Sequence, residues 1–162
     1  METQTNISAS RGFTLIEILG VVVILAIIAV LVIPTFAEAN YNSRQTVFAT
    51  DIKIFADAAW FYTMKTGEYL PTTASGVCPA GLETYIDSKK YTRPTTIGGL
   101  WDCETDTFGI KSGIGVDFGS TGDNPGDTYM LGIDALFDDG NLSTGQFRKI
   151  SDDRYFIVLR DI

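Results

Sequence analysis

No histidine occurs anywhere in the 162 residues. The commonest general base and the commonest metal ligand are therefore missing. Cysteine is nearly as scarce. Cys78 and Cys103 are the only two, too few for a four-thiolate zinc site, and without histidine no mixed site can form. Basic clusters are lacking as well. Twelve Lys and Arg face 20 Asp and Glu, for a net charge of −8, and the expectation is no nucleic-acid partner, since neutralising phosphates needs gathered cations. No nucleophile elbow or Ser-x-x-Lys frame is present, and Gly98-Gly99 lacks the strand, lysine and helix of a phosphate loop. These gaps argue against an enzyme.

What the chain does have is one long apolar run, Phe13 to Ile33, in which only Thr14 and Glu17 are clearly polar. A helix of this length spans roughly 30 Å, the hydrocarbon thickness of a bilayer. A soluble core helix would keep a polar face, and none exists after Glu17. A cleaved secretory signal fits poorly, because the run exceeds the usual apolar region of about 7–15 residues and no small-x-small site closes it. The run therefore reads as a single membrane-spanning helix, with lipid as one partner.

Glu17 is costly at the start of a membrane helix unless it is paired or lies at the interface. Cleavage after Gly12 would free the amine of Phe13, four residues away on the same helix face. Between subunits the same pair would set register, because a mismatched neighbour leaves a buried charge alone. The competing reading places Glu17 at headgroup level with no role.

Arg11-Gly12-Phe13-Thr14-Leu15-Ile16-Glu17 resembles the processing motif of type IV pilins and type II secretion pseudopilins. The resemblance implies a leader, 1–12, removed after Gly12 by a prepilin peptidase, and N-methylation of Phe13. It implies that Glu17 is the assembly residue and that Pro34 marks a kink in the stem. Its partners would be copies of itself, other pilins or pseudopilins, the peptidase and an inner-membrane assembly platform, and its place a single pass through the cytoplasmic (inner) membrane with the C-terminal part in the periplasm or outside. The weakly basic leader, with Arg11 its only basic side chain, departs from the pattern.

The segments read as 13–34, the membrane and assembly half of a stem helix, then 35–66, its amphipathic half. Phe48, Ile52, Phe55, Ala59 and Tyr62 form one apolar stripe, and Gly67 is the stop signal. Residues 67–162 read as a globular domain, irregular over 67–106 and built of antiparallel strands over 107–162. Leu82, Tyr85 and Ile86 suggest a short helix. Phe108 to Phe118 alternate, with Ser112-Gly113 as a turn. Tyr129 to Phe137 looks helical, with Asp127 or Thr128 as its cap. Strands over 146–150 and 155–160 complete a hairpin. The fold class is α+β, a long N-terminal helix packed on a small antiparallel sheet, as in pilins. Gly67-Glu68-Tyr69-Leu70-Pro71 also resembles the Gly-x-Tyr-Pro segment of pseudopilins, with one insertion.

Two cysteines in a chain that enters an oxidising compartment point to a Cys78–Cys103 disulfide, with two free thiols as the alternative. Calcium is the best cofactor candidate. Asp134, Asp138, Asp139 and Asn141 gather oxygen ligands as hard cations require. Their spacing is not that of an EF-hand, and the competing reading is a helix cap and solvated turn. The function expected is a structural subunit of a pseudopilus or type IV pilus-like filament acting in type II protein secretion. The alternative is a membrane-anchored extracytoplasmic module, binding calcium or sugar, that never polymerises.

Overall fold

A computed structural model describes residues 13–162. The expected leader, with Arg11 and Gly12, lies outside the described residues. One helix, α1 (Leu15–Thr66), carries the long apolar run and the amphipathic stripe. The chain divides into two compact units, the first ending at Asn40 and the second running Tyr41–Ile162.

In the first unit every residue from 13 to 33 is exposed, and the helix is long and apolar enough to cross a membrane. Pro34 sits within the helix and does not end it. It has no N–H to donate, and one residue on the Thr35 hydroxyl donates to the Val32 carbonyl at 2.7 Å.

The second unit is a helix-on-sheet domain. Its sheet comprises β1 (Leu100–Thr107), β2 (Ile110–Asp117), β3 (Phe147–Ser151) and β4 (Arg154–Asp161), all antiparallel in the order β1-β2-β4-β3. Two short helices, a 3-10 turn Leu82–Thr84 and α2 (Ser88–Tyr91), precede it, and α3 (Asp127–Asp134) lies between β2 and β3. The helix stripe forms the core as its period requires. Phe48 stacks on Trp101 at 5.3 Å between centroids, and Phe55 meets the same indole edge-on at 4.7 Å. Such aromatic pairs add about 0.5–1.5 kcal/mol beyond area burial. The buried Gln45 side chain donates to the Tyr129 carbonyl at 2.9 Å and ties α1 to α3.

Three elements differ from expectation. The first strand starts at Leu100, inside the stretch read as irregular to 106. Its turn lies at Phe108-Gly109, not Ser112-Gly113; Asp106, Phe108 and Gly109 all take positive φ there. Ser112 and Gly113 instead pair with Thr105 and Glu104 inside the ladder. Gly113 and Gly115 are there because Phe156 of β4 lies against them, and a Cβ at Gly115 would strike its ring and the Tyr155 carbonyl. α3 begins at Asp127 after Gly126, with no side-chain cap.

The face of the sheet turned away from α1 carries a second, smaller cluster, Ile110, Phe156 and Val158. Beside it Arg154 donates to Asp102, to Glu104 at 2.6 Å and to Asp117 at 3.2 Å. Ser75 adds a bond to Asp117 at 2.6 Å, and the Phe108 ring lies 5.0 Å from the guanidinium. Burial, then the Glu104 and Asp117 charges, raise the Asp102 carboxyl to about 6 against the pull of Arg154.

Candidate functional site

Two places carry the residues singled out by the sequence. The first is the start of α1. Thr14 and Glu17 close a capping box. The Glu17 carboxylate accepts from the Thr14 N–H at 2.8 Å and from its hydroxyl at 2.7 Å, while the Glu17 N–H donates to the Thr14 hydroxyl oxygen at 3.4 Å. Two orphan donors of the first turn are thereby satisfied. The Glu17 carboxylate is held on Thr14, the residue next to Phe13. Sequence reasoning weighed Glu17 against the Phe13 amine and missed Thr14. The Thr-x-x-Glu spacing was the available signal. Phe13 itself is 78% exposed, so nothing within the described residues covers the proposed methylation site.

The second place is the loop after α3. The carbonyl of Asp134 accepts from the N–H groups of both Phe137 and Asp138, folding the chain back on itself. Oxygens of Asp134, Asp138 and Asp139 thereby come within 4.8 Å of one another. Asp138 accepts the N–H groups of Gln146 at 2.5 Å and Phe147 at 2.7 Å. Asp139 accepts the Asn141 N–H at 2.9 Å and the Thr144 hydroxyl at 2.6 Å. Gly145 has φ +71°, and any side chain there would strike the Asp138 carboxylate.

Asp134 is the exception. It is 0% exposed, and neither carboxylate oxygen has a hydrogen-bond partner. Burial, then the charge of Asp138, raise it to about 6; the backbone N–H groups of Asn141 and Gly140 face it and pull the other way, although neither meets hydrogen-bond geometry. An unpaired buried carboxylate is costly unless a cation or proton joins it. The donor set, all hard oxygen, fits calcium. Asn141 belongs to the loop, but its side-chain oxygen accepts the Ser143 N–H at 3.1 Å, so it is less free than the three carboxylates.

The cysteines are carried as free thiols, Cys103 buried and Cys78 partly so. Cys103 points into the core from β1, where burial pushes its thiol up to about 12. The Cys78 sulfur makes only a weak contact with the Pro79 carbonyl at 3.8 Å. Neither is an activated nucleophile.

The Prokaryotic N-terminal methylation motif matches residues 7–33. The chain is similar to the type II secretion system core protein G of Pseudomonas aeruginosa, 44% identical over 66 residues. The match covers 41% of this chain and 46% of that relative, less than half of its length. No solved structure matches the chain.

Proposed function

We propose that the chain is a structural subunit of a pseudopilus, processed by a prepilin peptidase after Gly12, N-methylated at Phe13 and acting in type II protein secretion. The observation that carries this reading is the run from 13 to 33, fully exposed and apolar, with Glu17 as its single ionisable group. Such a surface is stable only among lipid or among other helices. The stem waits in the inner membrane and then bundles with copies of itself and with related subunits, delivered by the assembly platform. Packing of apolar helices supplies cohesion. The carboxylate of Glu17, turned toward the chain start, meets the new amine of Phe13 in its own or a neighbouring subunit. Pro34 gives the helix a place to bend where the ladder has one bond fewer.

The acidic loop holds calcium through Asp134, Asp138 and Asp139 and thereby fixes the turn between α3 and β3. The ion supplies positive charge to a carboxylate that the fold leaves unpaired. This role is structural, and no catalytic step is assigned to any residue.

Glu17→Ala tests the assembly role. The variant is expected to insert into the membrane at normal levels and to be absent from sheared filaments. Normal filaments from this variant would contradict the role. A wild-type chain that stays in the membrane and never appears in filaments would favour the anchored, non-polymerising module.

A further inference from the structure

β1 lies at the edge of the sheet, and an edge strand leaves a row of backbone groups open to pairing. The irregular segment after α1 covers that edge. The Gly76 N–H donates to the Trp101 carbonyl at 2.7 Å, and the Thr73 N–H to the Cys103 carbonyl at 3.4 Å. The Thr105 hydroxyl donates to the Leu70 carbonyl at 2.7 Å, and the Thr105 N–H to the Thr72 hydroxyl oxygen at 2.8 Å. A turn then folds the segment back. The Val77 N–H donates to the Ala74 carbonyl at 3.0 Å, and the Thr73 hydroxyl to the Val77 carbonyl at 2.8 Å. Thr73 thus holds the Cys103 carbonyl with its N–H and the residue before Cys78 with its hydroxyl.

Both cysteines meet the same core. Cys103 is 1% exposed within it, and Cys78 packs against it from the loop. Tyr91 belongs to the same pocket. Burial, then the charges of Cys103, Asp102 and Cys78, hold its hydroxyl well above the ordinary range, and that buried oxygen has no hydrogen-bond partner. The charge of Cys78 also reaches Cys103, after the effects of burial, Asp102 and Glu104. In a chain without histidine, two thiols do not complete a zinc site. A bond to each other is the chemistry left to them.

We propose that Cys78 and Cys103 join in a disulfide that fastens the covering segment to the edge strand β1. The oxidant is a protein disulfide or glutathione disulfide of the compartment in which the domain folds. The Cys78 thiolate attacks one oxidant sulfur and expels the other as a thiolate. The Cys103 thiolate then attacks the Cys78 sulfur and expels the second. The two thiols lose two protons and two electrons, and the oxidant disulfide becomes a pair of thiols. The exchange takes place during folding, before the pocket is sealed, because neither thiol is activated afterwards. The bond closes a loop that carries the 3-10 turn and α2 and so restricts the unfolded chain. This inference takes from the filament function only that the domain folds in an oxidising compartment.

Thiol trapping tests it. The full chain is taken from membranes, quenched in acid and alkylated in denaturant. No alkylated cysteine before reduction and two after it are expected, with a peptide pair joined at Cys78 and Cys103. In a second arm the chain is unfolded in reductant and refolded in detergent, with or without glutathione disulfide. The oxidised product is expected to melt about 5–10 °C above the reduced one, and Cys78→Ser to show no such difference. Free thiols in both arms, or a bond that joins only two separate copies, would overturn the disulfide alone. A bond that forms on refolding but never in the membrane-derived chain would uphold the pairing and overturn the extracytoplasmic placement of the domain.

Discussion

From residue 13 to 33 every side chain of α1 is exposed, whereas past Tyr41 the same helix buries Phe48, Ile52 and Phe55 almost completely. The two stretches share a backbone conformation and differ in where their partner comes from. The domain supplies Trp101, Tyr91 and Phe118 to cover its helix stripe. The N-terminal run has no such partner among the described residues. Polar groups follow the same division. Among the described residues the Glu17 carboxylate bonds only to Thr14, three residues away, while Arg154 gathers carboxylates from β1 and β2 that lie 37 to 52 residues distant.

That division predicts unequal mutational costs. Arg154→Met leaves Asp102, Glu104 and Asp117 buried without their cation and is expected to cost about 3–5 kcal/mol of domain stability. Ile24→Ala, in the exposed run, is expected to shift the domain by less than about 0.5 kcal/mol. Denaturant unfolding of the full chain in detergent measures both. Equal effects would break the comparison.

Calcium comes next in size. Saturating calcium, at about 100 times its dissociation constant, is expected to stabilise the domain by about 2.7 kcal/mol. Asp134→Asn should abolish the gain, and thermal unfolding with and without the ion reads it. A gain that persists in the variant would place the ion elsewhere.

The pH response is smaller and has a defined sign. Asp102 and Asp134 are both raised to about 6 from 3.8. A carboxyl with a raised folded pKa binds more protons folded than unfolded between those values, so stability falls as pH rises through 6. Metal-free protein is therefore expected to become more stable from pH 7 down to 5. Asp102→Asn and Asp134→Asn should each flatten part of that slope. A slope of opposite sign would contradict the burial of both groups.

The most local effect belongs to the helix start. Thr14→Ala removes the capping hydroxyl and is expected to cost about 1 kcal/mol at that end. It should appear as faster amide exchange over the first turn of α1 and leave the domain's unfolding midpoint unchanged.

Much of the fold was legible in the chain. The apolar run and the stripe from Phe48 to Tyr62 announce α1 by length and by period, and the Gln146–Arg160 hairpin announces itself by alternation. β1 was hidden because its outward residues, Asp102 and Glu104, look like surface acid. Only the three-dimensional approach of Arg154 makes them buried strand residues, and no local pattern encodes that approach. The hairpin turn was misplaced for a related reason. Ser112-Gly113 has turn chemistry, but Gly113 serves the close approach of Phe156, while Phe108 takes a positive φ that its residue type disfavours. At the acidic loop the residues could be found by composition. What the sequence could not disclose is that Asp134 alone is sealed from water and left without a hydrogen bond.

The mass of the native polypeptide recovered from sheared surface filaments tests the central claim most directly. A chain that begins at Phe13 and is heavier by one methyl group is the predicted result. Chains that all retain Met1, or that occur only in the membrane fraction, would contradict a processed, stem-assembled subunit.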